Sequence, residues 1–153
     1  MKDFKAFYRK YAKLEGVVVH RGCPEKKIAF TERVLNRKLP QSYRVMISMF
    51  GWMQVHGDVV YGLGPDVSDA ESVLEVAVFE SVCAEPQMLN HLIPIVAVGN
   101  GDHYCLDASK VRGGDAPVVL WRHDHPRGIL QRTIKQSASL LTWLEKLQRR
   151  AID

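Results

Sequence analysis

Apolar residues return every three or four positions in several stretches of the chain, the spacing of a helix with one buried face. Phe4, Phe7, Tyr8, Tyr11 and Leu14 form the first stripe, with Lys5, Arg9, Lys10 and Lys13 opposite, and predict a helix over Phe4–Leu14. Ile28, Ala29, Glu32 and Leu35 carry a second helix over Pro24–Leu35, with proline at a first position that suits it. Leu39-Pro40 disfavours further helix before the proline. A third helix, Gln41–Phe50, turns Tyr43, Met46, Ile47 and Phe50 inward and stops at Gly51. Ser68 and Glu71 read as a capping box ahead of Ala70, Val73, Leu74, Ala77 and Val78. The last helix spans about Ser137–Arg150, with Leu140, Leu141, Leu144 and Leu147 inward.

Elsewhere the pattern is that of strands. Leu92–Val98 is an apolar, β-branched run, Gly99-Asn100-Gly101-Asp102 is turn chemistry, and His103–Leu106 alternates. Together they predict a hairpin of Ile93–Val98 with His103–Leu106, taken as central to the domain. Val118–Trp121 is another apolar strand. Trp52–His56 and Val59–Tyr61 flank Gly57-Asp58 as a second hairpin, and Val17-Val18-Val19 is a short extended segment. Arg112-Gly113-Gly114-Asp115 reads as a flexible turn. Helices first, hairpins in the middle and a helix at the end predict an α+β fold in one domain over residues 1–153. Its antiparallel (mixed) central sheet is covered by N-terminal helices and a C-terminal helix.

Composition narrows the class. The hydrophobic fraction of 46% and charged fraction of 25% are those of an ordinary globular protein. No apolar run approaches the ~20 residues that cross a bilayer. The aromatic, basic start has no apolar core for a secretion signal, which points to the cytoplasm. The net charge is +4, but the basic residues are scattered without interleaved aromatics, which argues against nucleic acid and for solvated helix faces. Cys23, Cys83 and Cys105 are odd in number and lack CxxC spacing, so buried free thiols are expected, not disulfides or structural zinc.

Candidate chemistry is sparse. His56, His103, His123 and His125 stand with Asp102, Asp107 and Asp124 nearby in sequence. A metal site needs three or four convergent ligands, and His123-Asp124-His125 reads as a loop whose side chains need not converge. Cys105 lies inside an alternating strand and reads as a packed thiol, not a nucleophile. Asp107 is placed to cap the turn that follows its strand. There is no GxSxG, HExxH or Walker loop, so no cofactor is expected. Trp121, at a strand end beside a polar loop, reads either as core or as a binding anchor.

Several pieces occur in a recognisable order: Leu39-Pro40-Gln41-Ser42-Tyr43, Tyr61-Gly62-Leu63, Ile93-Pro94-Ile95, then Gly99-Asn100-Gly101-Asp102 with Tyr104-Cys105-Leu106-Asp107. Pro117-Val118, Trp121, His123 and the closing helix with Trp143 complete the series. The chain resembles the SUKH superfamily in its Smi–Knr-type branch, named for a fungal regulator of cell-wall synthesis. The resemblance covers about Cys23 to Leu147. It implies a non-enzymatic binding domain like the bacterial immunity proteins that neutralise polymorphic toxins, with a cognate toxin domain as partner. A regulatory adaptor and a small metal- or cysteine-dependent hydrolase stay open as alternatives.

A partner surface is expected beside the central hairpin. Helices would cover one sheet face and leave the other face and its loops available. Strand ends and turns expose polar and aromatic side chains, and Trp, Tyr and Arg often dominate binding energy. The residues chosen on this ground are Asp102, His103, Trp121, Arg122 and His123, with Trp52, His56 and Tyr61 behind them.

Overall fold

A computed structural model describes residues 3–124 and 133–150. Five helices are present among them: α1 Phe4–Tyr11, α2 Glu25–Leu35, α3 Gln41–Phe50, α4 Val73–Val78 and α5 Leu140–Gln148. The strands are β1 Val17–Val19, β2 Met53–Val55, β3 Asp58–Val60, β4 Leu92–Ala97, β5 His103–Asp107, β6 Val118–Trp121 and β7 Thr133–Ser137. Every strand pair is antiparallel, so the α+β class read from the patterning holds. No helix among the described residues is long and apolar enough to cross a membrane.

The strands divide into two sheets, β1-β2-β3 and β4-β5-β6-β7, where the patterning suggested one. A bulge in β4 falls between Pro94 and Val96, and the Ile95 carbonyl there accepts the Tyr61 N–H at 2.8 Å. The two sheets therefore meet at a hydrogen-bonded seam, with β4 at the junction and not in the middle of its sheet. The β2–β3 turn is His56-Gly57, one residue earlier than Gly57-Asp58, because Val55 pairs with Asp58 and both turn residues take positive φ.

Three further expectations change. The last helix begins at Leu140, capped by Ser139, because Thr133–Ser137 extends the second sheet as β7. Period-2 alternation over five residues is too short a signal to separate from a helix start. The cap of α4 is Ser72, whose Oγ accepts the Glu75 N–H at 3.3 Å. Ser68 and Glu71 instead hydrogen-bond to each other in the preceding loop. α4 passes into a π-helical turn, Phe79–Cys83, that leaves Cys83 exposed while Cys23 and Cys105 are buried.

The main core lies under α1, α2, α3 and α5 and includes Tyr8, Ile28, Tyr43, Met46, Leu63, Ile93, Leu106 and Trp143. Two carboxylates organise the helices that cover it. Asp115 is buried, and its oxygens accept from Ser42 Oγ at 2.8 Å, Ala116 N–H at 2.7 Å and the first N–H groups of α5, Leu140 at 3.0 Å and Leu141 at 3.4 Å. A carboxylate there meets the positive end of the α5 dipole. Asp115 therefore fixes the Gly113–Asp115 segment that the sequence presents as a loose turn. Glu32 is equally buried; it accepts the Leu39 N–H at 2.7 Å and two Arg44 hydrogen bonds at 3.0 and 3.1 Å. Arg44 also grips exposed Glu25, which joins α2 to α3.

Removing the Asp115 carboxylate leaves buried donors unmatched at α3, β6 and α5. Asp115→Ala is expected to lower unfolding free energy by about 3 kcal/mol in urea titration. An unchanged midpoint would remove Asp115 as the anchor. Burial pushes the Glu32 carboxyl up, but the Arg44 and Leu39 hydrogen bonds outweigh it and hold it below its ordinary value. Its stabilising contribution is thus complete above the unfolded carboxylate range and is lost as pH falls through the folded value. Melting temperature should drop on acidification below about pH 4.5, and less steeply in Glu32→Gln.

Candidate functional site

The turn between β4 and β5 has φ +101° at Gly101. A Cβ there would sit 2.8 Å from the His123 ring, so the imidazole lies directly on the glycine backbone. A side chain at 101 would strain the backbone and push the ring away. Asp102 Oδ1 accepts both the His123 Nδ1–H at 2.6 Å and the His123 backbone N–H at 3.1 Å. The residues after β6 are thereby clipped to the hairpin turn. Asp102 is 8% exposed and His123 half-buried, so the clip is partly sheltered from water.

His103 pairs with Trp121 across β5 and β6. Its imidazole is buried, 3.9 Å from Glu80 Oε1 on the π-helical turn and 6.1 Å from the Tyr61 ring. Burial holds His103 below its ordinary value, helped by His123 and opposed by the Gly101 backbone and Asp102. Burial also pushes Glu80 up, with His123 opposing. Burial and the Glu80 charge push the Tyr61 hydroxyl up to about 12. Asp102, His103, His123, Glu80 and Tyr61 therefore form one polar group at the turn end of the β4–β5 hairpin. Arg122 is half-buried beside it.

The other chosen residues lie elsewhere. Trp121 is 1% exposed in a second small core with Met88, Leu92, Cys105 and Val119. That core fills the sheet face expected to be open, because the segment before β4 folds over it. Trp121 is thus a core side chain and not a surface anchor. Trp52 is buried and stacks flat on His20, with centroids 3.8 Å apart. His56 is held by the end of α5: its Nε2 donates to the Gln148 carbonyl at 2.6 Å, and Arg150 reaches its Nδ1 at 3.1 Å. His125 lies outside the described residues.

The Cys105 thiol is fully buried and pushed well up by desolvation and the Glu80 charge, in contact with Met88 and the His103 carbonyl. A thiol held protonated is a poor nucleophile. Asp102, His123 and Asp124 could each offer one atom to a cation within 4.8 Å of the others. One Asp102 oxygen already holds two donors of His123. Asp107 accepts the Ser109 N–H at 3.0 Å and closes the turn after β5 as expected.

Sequence reasoning missed Glu80, Phe79, Glu75 and Asp69, which line a shallow groove of about 390 Å³ with Tyr61 and His103. The signal was the distribution of charge: between Arg44 and Lys110 there are nine acidic residues and no Lys or Arg. The net charge of the whole chain, +4, concealed it.

A SUKH family model described as SMI1-KNR4 cell-wall matches residues 25–139, and the chain belongs to this family. No curated protein matches the chain. The family's ordered pieces meet in space. Tyr43 Oη donates to the Tyr61 carbonyl at 2.5 Å, the Tyr61 N–H reaches Ile95, and a Cβ on Gly62 would fall 1.8 Å from the Gly51 carbonyl.

Truncating Trp121 tests its place in the fold. Trp121→Ala should cost about 3–5 kcal/mol of stability. A fully stable Trp121→Ala protein in thermal melting would return this side chain to the surface.

Proposed function

We propose that the chain is an immunity protein that binds a cognate toxin domain and neutralises it by occlusion. The supporting observation is the polar group at the hairpin end, where Asp102 ties His123 to a backbone already braced by Tyr43, Tyr61 and Ile95. A rigid, partly exposed cluster binds without a large ordering cost. Arg122 and Tyr61 are residue types that commonly carry binding energy. Neither the protonated Cys105 nor the clipped Asp102–His123 pair is arranged for turnover, so this reading assigns the chain no reaction. It places Arg122 and His123 at the interface, with Asp102, His103 and Tyr61 buried just beneath and holding them, and returns Trp121, Trp52 and His56 to structural roles.

The test pairs the protein with the toxin domain encoded beside its gene. Co-expression should protect cells from that toxin, and purified proteins should form a complex. Arg122→Ala and Asp102→Ala, each checked by melting, should weaken it at least ten-fold, about 1.4 kcal/mol. Absence of protection removes the immunity reading; full affinity in both folded variants moves the interface away from the hairpin end.

A further inference from the structure

Among the described residues, no lysine or arginine pairs with the Glu80 carboxylate and no group donates a hydrogen bond to it, although the His123 charge acts on it from a distance. Its side chain is only 14% exposed, and the His103 ring stands 3.9 Å away. Burial disfavours charge on that imidazole. The His103 Nδ1 is itself buried without a hydrogen-bond partner among the described residues. A carboxylate this sheltered is costly unless a donor or counter-charge reaches it. Both groups line the same groove of about 390 Å³. Buried Tyr61 and His103 form its floor, half-buried Glu80 its wall, and exposed Asp69, Glu75 and Phe79 its rim. No lysine or arginine lies among the lining residues, and the stretch that supplies them carries neither.

The groove thus has acid at its wall and rim beside aromatic surface. Guanidinium matches that combination better than ammonium does. It is planar, weakly hydrated, stacks on rings and gives paired hydrogen bonds to a carboxylate. Phe79, 56% exposed at the rim, offers a ring face that the fold leaves uncovered. We propose that this groove is the seat for an arginine side chain of the partner protein, whose guanidinium pairs with Glu80 while its stem lies against Phe79 and Tyr61. Asp69 and Glu75 draw the cation in from the rim. The inference rests on the immunity reading for the partner's identity, but not for the chemistry of the groove.

The experiment therefore has two arms. In the first, ¹⁵N-labelled protein is titrated at low salt with N-acetyl-arginine amide, N-acetyl-lysine amide and N-acetyl-citrulline amide. The arginine probe should give saturable shifts centred on Tyr61, Phe79, Glu80 and His103. They should weaken at least five-fold with Glu80→Gln and be absent with citrulline, which has the shape without the charge. Shifts scattered over the surface, unchanged in Glu80→Gln, or equal for lysine or citrulline would overturn the proposal. In the second arm, Glu80→Gln, which preserves side-chain shape, should weaken the toxin complex about ten-fold and flatten its salt dependence, with unchanged melting. A localised arginine response without toxin binding leaves the groove standing and removes the immunity reading. A tight toxin complex indifferent to Glu80→Gln, with no localised arginine response, does the reverse.

Discussion

The buried carboxylate of Asp115 joins more elements of the fold than any other interaction described above. Asp115 lies at the point where α3, the start of β6 and the N-terminus of α5 converge, and it satisfies donors from all three. Tyr8 of α1 joins this knot by donating to the Ser42 carbonyl at 2.8 Å. Left without Asp115, the buried N–H groups at the start of α5 would have no other acceptor in these contacts, and an unmatched buried donor costs as much as a good hydrogen bond contributes. Where the N-terminus of α5 docks therefore follows from one residue in a glycine-rich turn, while its apolar face seats the rest of the helix on the core.

A second line of contacts carries that rigidity to the site. Tyr43 holds the Tyr61 carbonyl, Tyr61 holds the β4 bulge, and β4 leads into the turn where Asp102 clips His123. The segments that mark the family are the links of this line. They are separated along the chain but adjacent in space, and each supplies a hydrogen-bonding or close-packing partner to another. The polar cluster at the hairpin end is thus mounted on the core and does not hang from loose loops. That is the condition under which a small surface can bind tightly without losing much freedom.

Charge adds the remaining feature. The chain as a whole is basic, yet its middle is wholly acidic apart from histidines, and the fold gathers part of that acidity around α4 and the hairpin end. Burial then acts in opposite senses on neighbours: it disfavours the ionised forms of both Glu80 and His103. The result is a sheltered polar pair whose interaction with an incoming cation is screened less than it would be on an open surface.

The sequence alone determined the α+β class, four of the helices within a few residues, the β4–β5 hairpin with its glycine turn, and the family. These are local or ordered signals, written in periodicity, turn chemistry and motif order. It also brought Asp102, His103 and His123 forward, because turn and strand-end positions mark them. Only the tertiary structure decided that Trp121 is core, since burial depends on the Met88–Leu92 segment folding across the second sheet face. The same holds for Asp115, whose partners lie up to 73 residues away, and for the division into two sheets, which meet where β4 bulges. Glu80 belongs with them. Nothing local marks a glutamate as lacking a lysine or arginine partner, because that property arises from what the rest of the chain does, and does not, place beside it.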